Sequence, residues 1–124
     1  MSHLSASVLE TLRARLVALR DNALNEAWAA EARGLSLLAT AEGETQDRSE
    51  RAENRREEEI SKVEIINDYA TASAAEAALR QIANGSYGTC RDCGKAIPQA
   101  RLLAIPVALR CSACQLAYEQ RRSR

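Results

Sequence analysis

Four cysteines are the residues of this chain whose type and spacing indicate chemistry. They form two Cys-x-x-Cys pairs separated by seventeen residues, namely Cys90, Cys93, Cys111 and Cys114. Two such pairs with a spacer of about 15–20 residues are typical of tetrahedral zinc sites, because each pair supplies two thiolates and the spacer lets the pairs meet. Four thiolates leave no open coordination position. The spacing therefore predicts one structural Zn²⁺ per chain and no hydrolytic metal site.

The residues around the cysteines suit a thiolate cluster. Gly94 follows the first pair, where a tight knuckle often needs a left-handed backbone. The second pair begins a predicted final helix, SACQLAYEQRR, whose N-terminal dipole favours thiolates. Three cations adjacent to the cysteines could offset a zinc–thiolate charge of about −2: Arg91, Lys95 and Arg110. Two disulfides, or an iron site of the rubredoxin type, remain alternative interpretations.

The segment before the cysteines is predicted to be two long helices. In the first, an apolar stripe recurs at steps of three and four, which is the spacing of an amphipathic helix. Its members are Leu9, Leu12, Leu16, Leu19 and Ala23, with Ala27 and Ala30 able to continue it. Ser5 or Ser7 could cap this helix, which extends to about Thr40. Polar residues 41–47 then read as a turn.

The second helix is predicted from about Arg48 to Asn84, where Asn84-Gly85 provides a stop. Its predicted stripe is Ile60, Val63, Ile66 or Asn67, Ala70, Ala74 and Ala77. Two long helices joined by a short turn should pack antiparallel. We therefore expect a mainly α fold, with a coiled-coil hairpin over 1–86, its tip near 41–52, and a four-cysteine zinc-finger module with a short C-terminal helix over 87–124. A dimeric helical bundle is the alternative.

Composition restricts the function further. Aromatic residues make up 3% of the chain, and 17 basic residues balance 17 acidic ones. A net charge of zero argues against a protein held to nucleic acid by bulk electrostatics. The sequence has no apolar run of about 20 residues and no signal-peptide pattern, so a cytoplasmic protein is expected. His3, the single histidine, is expected at a frayed terminus, and no catalytic triad or phosphate loop is present, so we expect no enzyme.

The finger sequence GSYGTCRDCGKAIPQARLLAIPVALRCSAC resembles that of the DksA/TraR family of bacterial transcription regulators. The resemblance lies in the cysteine spacing, the Gly-x-Tyr-Gly lead-in and the Ala-x-Pro before the second pair, and it extends to the order of hairpin, finger and final helix. It implies a monomer that binds RNA polymerase core or holoenzyme rather than specific DNA sequences or membranes. It also implies entry through the secondary channel, an altered initiation at promoters such as ribosomal ones, and a part in the stringent response.

The resemblance also implies functional residues at the hairpin tip. The family's tip motif is Asp-x-x-Asp-x-Ala, and the corresponding stretch here is DRSERA, which gives Asp47, Glu50 and Ala52. The second acid is therefore Glu instead of Asp. Two carboxylates three residues apart lie on one face at the start of a helix, where the dipole also favours them. Without the resemblance, ordinary helix capping would explain both acids.

Members of the family that respond to ppGpp carry basic residues at three positions that correspond here to Ala74, Ile105 and Gln115. None of these side chains can pair with a phosphate. Arg101 matches a basic finger residue of the family and is a possible polymerase or nucleotide contact. The resemblance thus implies a weak or absent response to ppGpp. Two other function classes stay open, a zinc-ribbon adaptor that binds nucleic acid or another protein, and a thiol-based redox sensor.

Overall fold

The computed structural model describes residues 3–41 and 48–123, with side chains over 3–36 and 48–123. It contains four helices, α1 (Ala6–Ala41), α2 (Arg48–Asn84), α3 (Gln99–Ala104) and α4 (Ser112–Arg122). Within these ranges the only β pairing is an isolated antiparallel bridge between Thr89 and Ala96. Helices α1 and α2 form a hairpin, and the cysteine-containing segment with its short final helix follows it. The predicted mainly α fold class is confirmed.

The predicted features of α1 are confirmed. The backbone N–H of Val8 donates a hydrogen bond to Ser5 Oγ at 3.2 Å, so Ser5 is the N-cap. Most of the predicted stripe is buried, namely Leu12, Leu16, Ala23, Ala27 and Ala30. Three of these five side chains are alanines, which let the backbone of a neighbouring helix approach closely.

The predicted stripe of α2 is wrong. Ile60, Val63 and Ile66 are 59%, 58% and 66% exposed. Ala70 and Ala74 are also exposed, and Ala77 is half-buried. The large β-branched side chains of this helix therefore point into solvent, although their spacing is that of a core stripe.

The inward face of α2 is instead displaced by one or two residues along the sequence. It follows steps of four and three through Ser61, Ile65, Asp68, Ala72 and Ala75. Ser61, Ile65 and Asp68 are half-buried, and the two alanines are 3% and 0% exposed. Small and polar residues therefore make up most of this face, together with Ile65.

The chain divides into two compact units. One consists of Leu19–Ser73, and there the Tyr69 hydroxyl donates a hydrogen bond of 2.9 Å from α2 to Glu31 Oε1 of α1. The other combines Met1–Ala18 with Ala74–Arg124. The domain boundary that we expect between residues 86 and 87 stays a prediction.

A small core fills the unit that contains the cysteines. Besides buried residues of α1 and α2, its side chains come from the start of the chain and from the segment after α2, namely Leu4, Tyr87, Cys90, Ile97 and Leu102. The Tyr87 hydroxyl donates a hydrogen bond of 2.8 Å to the Pro106 carbonyl, so this buried polar group is satisfied. Over the ranges given above, none of the helices combines the length and apolar character needed to cross a bilayer.

Candidate metal centre

The four cysteine sulfurs converge on one point. Their Sγ atoms all lie within 4.8 Å of one another, and those of Cys93 and Cys111 are 3.9 Å apart. A tetrahedral ion with Zn–S bonds of about 2.3 Å places its sulfurs roughly 3.8 Å apart. None of the four is in a disulfide. The donor type, number and spacing therefore fit one structural zinc ion.

The first pair is held by a tight knuckle of backbone hydrogen bonds. The N–H of Gly94 donates to the Cys90 carbonyl at 3.0 Å, and the N–H of Cys90 donates to the Lys95 carbonyl at 2.8 Å. Gly94 has a φ of +74°, a left-handed conformation that side chains with a Cβ rarely adopt. The turn that we predicted after the first pair is therefore present.

The second pair lies at the start of a helix, as the sequence predicts. Cys111 is the N-cap of α4, and its carbonyl accepts a 2.9 Å hydrogen bond from the N–H of Gln115. Cys114 follows within the first turn. Both cysteines of this pair therefore lie at the positive end of the helix dipole.

Arginine side chains join the loop between the two pairs to the knuckles. Arg101 Nε donates to the Arg110 carbonyl at 2.9 Å, and Arg110 Nε donates to Asp92 Oδ2 at 2.8 Å. The N–H of Arg91 also donates to the Leu109 carbonyl at 2.9 Å. Arg110 is thus committed to a carboxylate between the first two cysteines. These contacts fix the separation of the two pairs.

The pKa values of Cys90 and Cys114 are shifted in opposite directions. Hydrogen bonds from the backbone N–H groups of Cys93 and Cys111 lower the pKa of Cys90 to about 6. Hydrogen bonds with the sulfurs of Cys111 and Cys90 raise the pKa of Cys114 to about 12. A cation that binds all four thiolates must therefore displace the proton of Cys114.

The predicted tip residues are only partly within the described residues. Asp47 lies outside them. Glu50 is exposed in the first turn of α2, and Ala52 is half-buried. Their role stays a prediction.

Arg101 borders an open groove of about 530 Å³ in the finger. Ile105, which is 43% exposed, and Gln115 line the same groove, and the Gln115 amide donates a 3.0 Å hydrogen bond to Glu119. Ala74, the third position at which the resemblance implies a lost basic residue, is exposed on α2. The groove therefore brings together Arg101 and two of these three positions.

His3 has a role that the sequence interpretation missed. It does not lie at a frayed end, because its Nε2 is 2.7 Å from the Ile97 carbonyl oxygen. A Cβ added at Gly88 would be 3.1 Å from the His3 ring, and Gly88 has a φ of +88°. The Gly-x-Tyr-Gly lead-in was the available signal, because its second glycine marks a close approach.

Residues 85–120 match the family described as the prokaryotic dksA/traR C4-type zinc finger. A protein of Aquifex aeolicus (strain VF5), described as uncharacterized, is 42% identical over 61 residues. That alignment covers 49% of this chain and 39% of the relative, so the chain matches about two fifths of the relative's length.

Two solved structures share the fold. The structure of transcription factor DksA2 from Pseudomonas aeruginosa superposes with a TM-score of 0.80 and 19% identity, covering 98% of this chain and 91% of that one. The structure of the RNA polymerase binding protein and transcriptional regulator Dks from Chlamydia trachomatis L2 (LGV434) superposes with a TM-score of 0.54 and 20% identity, covering 94% and 93%. The order of hairpin, finger and final helix is therefore that of known proteins.

Proposed function

We propose, from the match of its finger to the DksA/TraR family, that this chain is a bacterial transcription regulator that binds RNA polymerase. The observation that carries the proposal is the combination of a two-helix hairpin with four converging thiols in one chain. The likeness in fold to DksA2 extends over 98% of the chain and supports it. Members of the family are transcription factors rather than enzymes, which agrees with the absence of a catalytic motif from the sequence.

In this proposal the finger and the hairpin have different tasks. Zinc held by Cys90, Cys93, Cys111 and Cys114 supplies no chemistry beyond fixing the finger. The hairpin enters the secondary channel of the polymerase and brings Asp47, Glu50 and Ala52 near the active centre. There the two carboxylates alter initiation at promoters such as ribosomal ones. The partner is core enzyme or holoenzyme, and the regulator acts as a cytoplasmic monomer without reading DNA sequence.

We further propose that ppGpp adds little to this activity. Of the three positions that would carry cations, Ile105 and Gln115 line the groove beside Arg101, and Ala74 is exposed on α2. An aliphatic side chain offers no donor to a phosphate, and a neutral amide gives only a weak one. Arg101 alone remains, and its Nε is already bonded to the Arg110 carbonyl.

The test compares binding and activity in one tip variant. Asp47→Asn keeps the shape and removes a charge, so competition binding to core polymerase should be unchanged while the effect on a ribosomal promoter in vitro falls at least fivefold. Glu50→Gln should be milder, and Ala52→Thr should be harmful through crowding. Glu26→Gln, an exposed acid in the middle of α1, is the matched control and should behave as wild type.

Two outcomes would contradict the proposal. If the wild-type chain did not compete for core polymerase, the finger would be better explained as a nucleic-acid or protein adaptor. If Asp47→Asn matched wild type in both binding and transcription, the tip acids would be helix caps alone. Adding ppGpp, with a polymerase that lacks any other site for it, tests the nucleotide proposal separately.

A further inference from the structure

The net charge of zero combines two segments of the chain whose formal charges have opposite signs. Residues 1–84 contain 10 basic and 15 acidic side chains, and residues 85–124 contain 7 basic and 2 acidic ones. The formal charges are therefore −5 and +5, and zinc bound by four thiolates reduces the second to +3. Since salt screens charges over about 8 Å at physiological ionic strength, a ligand at the finger responds to the local excess and not to the sum. The net charge of zero therefore does not exclude nucleic-acid binding by the finger.

Three arginines of the finger lie around one carboxylate and one ring. Arg110 Nε is 2.8 Å from Asp92 Oδ2, and an Arg121 terminal nitrogen is 4.0 Å from the same oxygen. The guanidinium carbons of Arg110 and Arg122 lie 3.9 Å and 5.7 Å from the centroid of the Tyr118 ring. The contacts with Asp92 and Tyr118 thus hold three cations together, and we call these five residues the arginine cluster.

The members of the arginine cluster differ in what they can reach. The Arg110 side chain is 13% exposed and forms the shorter contact with Asp92, so it offsets that carboxylate. Arg121 is 66% exposed in its side chain, and Arg122 is exposed. Their spacing from Tyr118 is i, i+3 and i+4, which places all three on one face of α4. Arg121 and Arg122 are therefore both exposed on this face, where the single Asp92 carboxylate is shared between Arg110 and Arg121. Exposed Arg91 is adjacent to Asp92 in the chain.

We propose that the arginine cluster, with Arg91, binds the phosphate backbone of nucleic acid without reading its sequence. Guanidinium groups present paired N–H donors that match phosphate oxygens, and an exposed basic face of a small domain is the electrostatic signature of such binding. A protein partner is the less suitable occupant, because protein interfaces have an apolar centre with a polar rim. In the arginine cluster the one aromatic ring is covered by two guanidinium groups.

The charge of the rest of the chain restricts this contact to the finger. Residues 1–84, at −5, are repelled by a phosphate backbone, so only the finger should be close to it. The contact does not depend on polymerase, and purified protein and nucleic acid are sufficient to test it.

The experiment measures the fluorescence anisotropy of a labelled 20-base-pair DNA duplex titrated with the zinc-loaded full-length chain. With about three phosphate contacts, the affinity should fall roughly 40-fold between 50 and 200 mM salt. Two duplexes of unrelated sequence should bind equally. The double variant Arg121→Gln, Arg122→Gln should retain its zinc but bind at least tenfold more weakly at 50 mM salt. With one contact left, its affinity should fall only about 3-fold to 4-fold over the same salt range.

A second double variant serves as a control with the same change in charge. The variant Arg13→Gln, Arg20→Gln removes two cations from α1. The side chains of Arg13 and Arg20 are 51% and 32% exposed, and this variant should bind the duplex as wild type does. Single-stranded RNA of the same length distinguishes RNA from DNA as the source of the phosphates. The proposal is overturned if wild type does not bind either nucleic acid at 50 mM salt, or if both double variants weaken binding equally. It is also overturned if polyglutamate of equal charge displaces the duplex as well as unlabelled DNA does, because the partner would then be an acidic protein surface.

Discussion

The imidazole Nε2 of His3 lies 2.7 Å from the carbonyl oxygen of Ile97, which joins the start of the chain to the loop of the finger. Ile97 is fully buried, and its own N–H donates to the Gly88 carbonyl at 2.7 Å. Leu4, next to His3, is 5% exposed and lies against Gly88. His3 and Leu4 therefore pack against the finger, although more than ninety positions separate His3 from Ile97 in sequence.

Removing the His3 ring should destabilise the finger. In His3→Ala the carbonyl of Ile97 loses its side-chain partner in a partly buried place, which costs about 1–2 kcal/mol of unfolding free energy. His3→Gln keeps an N–H donor and should recover part of the loss. The measurements are urea unfolding and the rate at which a chelator removes zinc. Equal chelation rates and unfolding midpoints for wild type and His3→Ala would show that the contact is incidental.

Local patterns predicted well the parts of this protein that depend on neighbouring residues. The cysteine spacing predicted a site whose four sulfurs do converge, and the steps of three and four through Leu12 and Leu16 predicted a stripe that is buried. Gly94 predicted the knuckle, because the turn depends on the positive φ of this one glycine. In each case the residues that give the signal and the residues that form the structure lie within one short segment of the sequence.

The errors arise where packing between distant segments decides the outcome. The Ile60, Val63 and Ile66 side chains have the spacing of a core stripe, yet the face that packs inward is the one with the smaller side chains Ala72 and Ala75, opposite the alanines of α1. His3 binds a backbone carbonyl, which any residue carries, so the residue type at Ile97 indicated nothing and only Gly88 marked the close approach. Balanced total charge likewise concealed the separation of acidic and basic halves.

Zinc should be necessary for the finger. The purified protein should contain one zinc ion per chain by native mass spectrometry, and Cys93→Ser should lose it. Structural zinc contributes on the order of 10 kcal/mol of apparent binding free energy, so its loss should unfold residues 88–124 while most of the far-UV signal of α1 and α2 remains. Ser112→Ala, a substitution of an exposed neighbour, is the control and should keep the metal. A metal-free protein with two disulfides and an intact finger would contradict the zinc assignment.

Stability should decline in alkali because of Tyr87. Burial raises the pKa of this side chain to about 12, against an opposing effect of Arg15, and the residue is 5% exposed. The folded state therefore holds the phenolic proton more tightly than the unfolded state, whose pKa is about 10. The stability that protonated Tyr87 contributes is fully present below pH 10. It is lost as the pH rises towards 12, which lowers the free energy of unfolding by up to about 2–3 kcal/mol.

The check is urea unfolding at pH 8, 10 and 11.5. Tyr87→Phe should be less stable at pH 8 by about 1 kcal/mol, because it lacks the bond to Pro106, but should show a smaller decline between pH 10 and 11.5. Tyr69→Phe is the comparison: the hydrogen bond to Glu31 also raises the pKa of Tyr69, but this side chain is 37% exposed, so its substitution should change the alkaline decline less than Tyr87→Phe does. Parallel declines in wild type and Tyr87→Phe would mean that other groups cause the loss.

Substitutions on the two faces of α2 should change the free energy of unfolding by different amounts. Val63→Ala removes two methyl groups from a side chain that is 58% exposed and should change the unfolding free energy by less than about 0.5 kcal/mol. Ala75→Leu inserts a larger side chain where the residue is 0% exposed and should cost about 1–3 kcal/mol by overpacking. Both are measured as shifts of the urea midpoint at an unchanged slope. If Val63 instead faced the core, as its spacing suggests, Val63→Ala would leave a cavity. Truncation of a buried aliphatic side chain costs more than about 1 kcal/mol of unfolding free energy. Because the two residues lie on one helix, differences in helix propensity alone could not produce so large a contrast, and the result assigns the inward face directly.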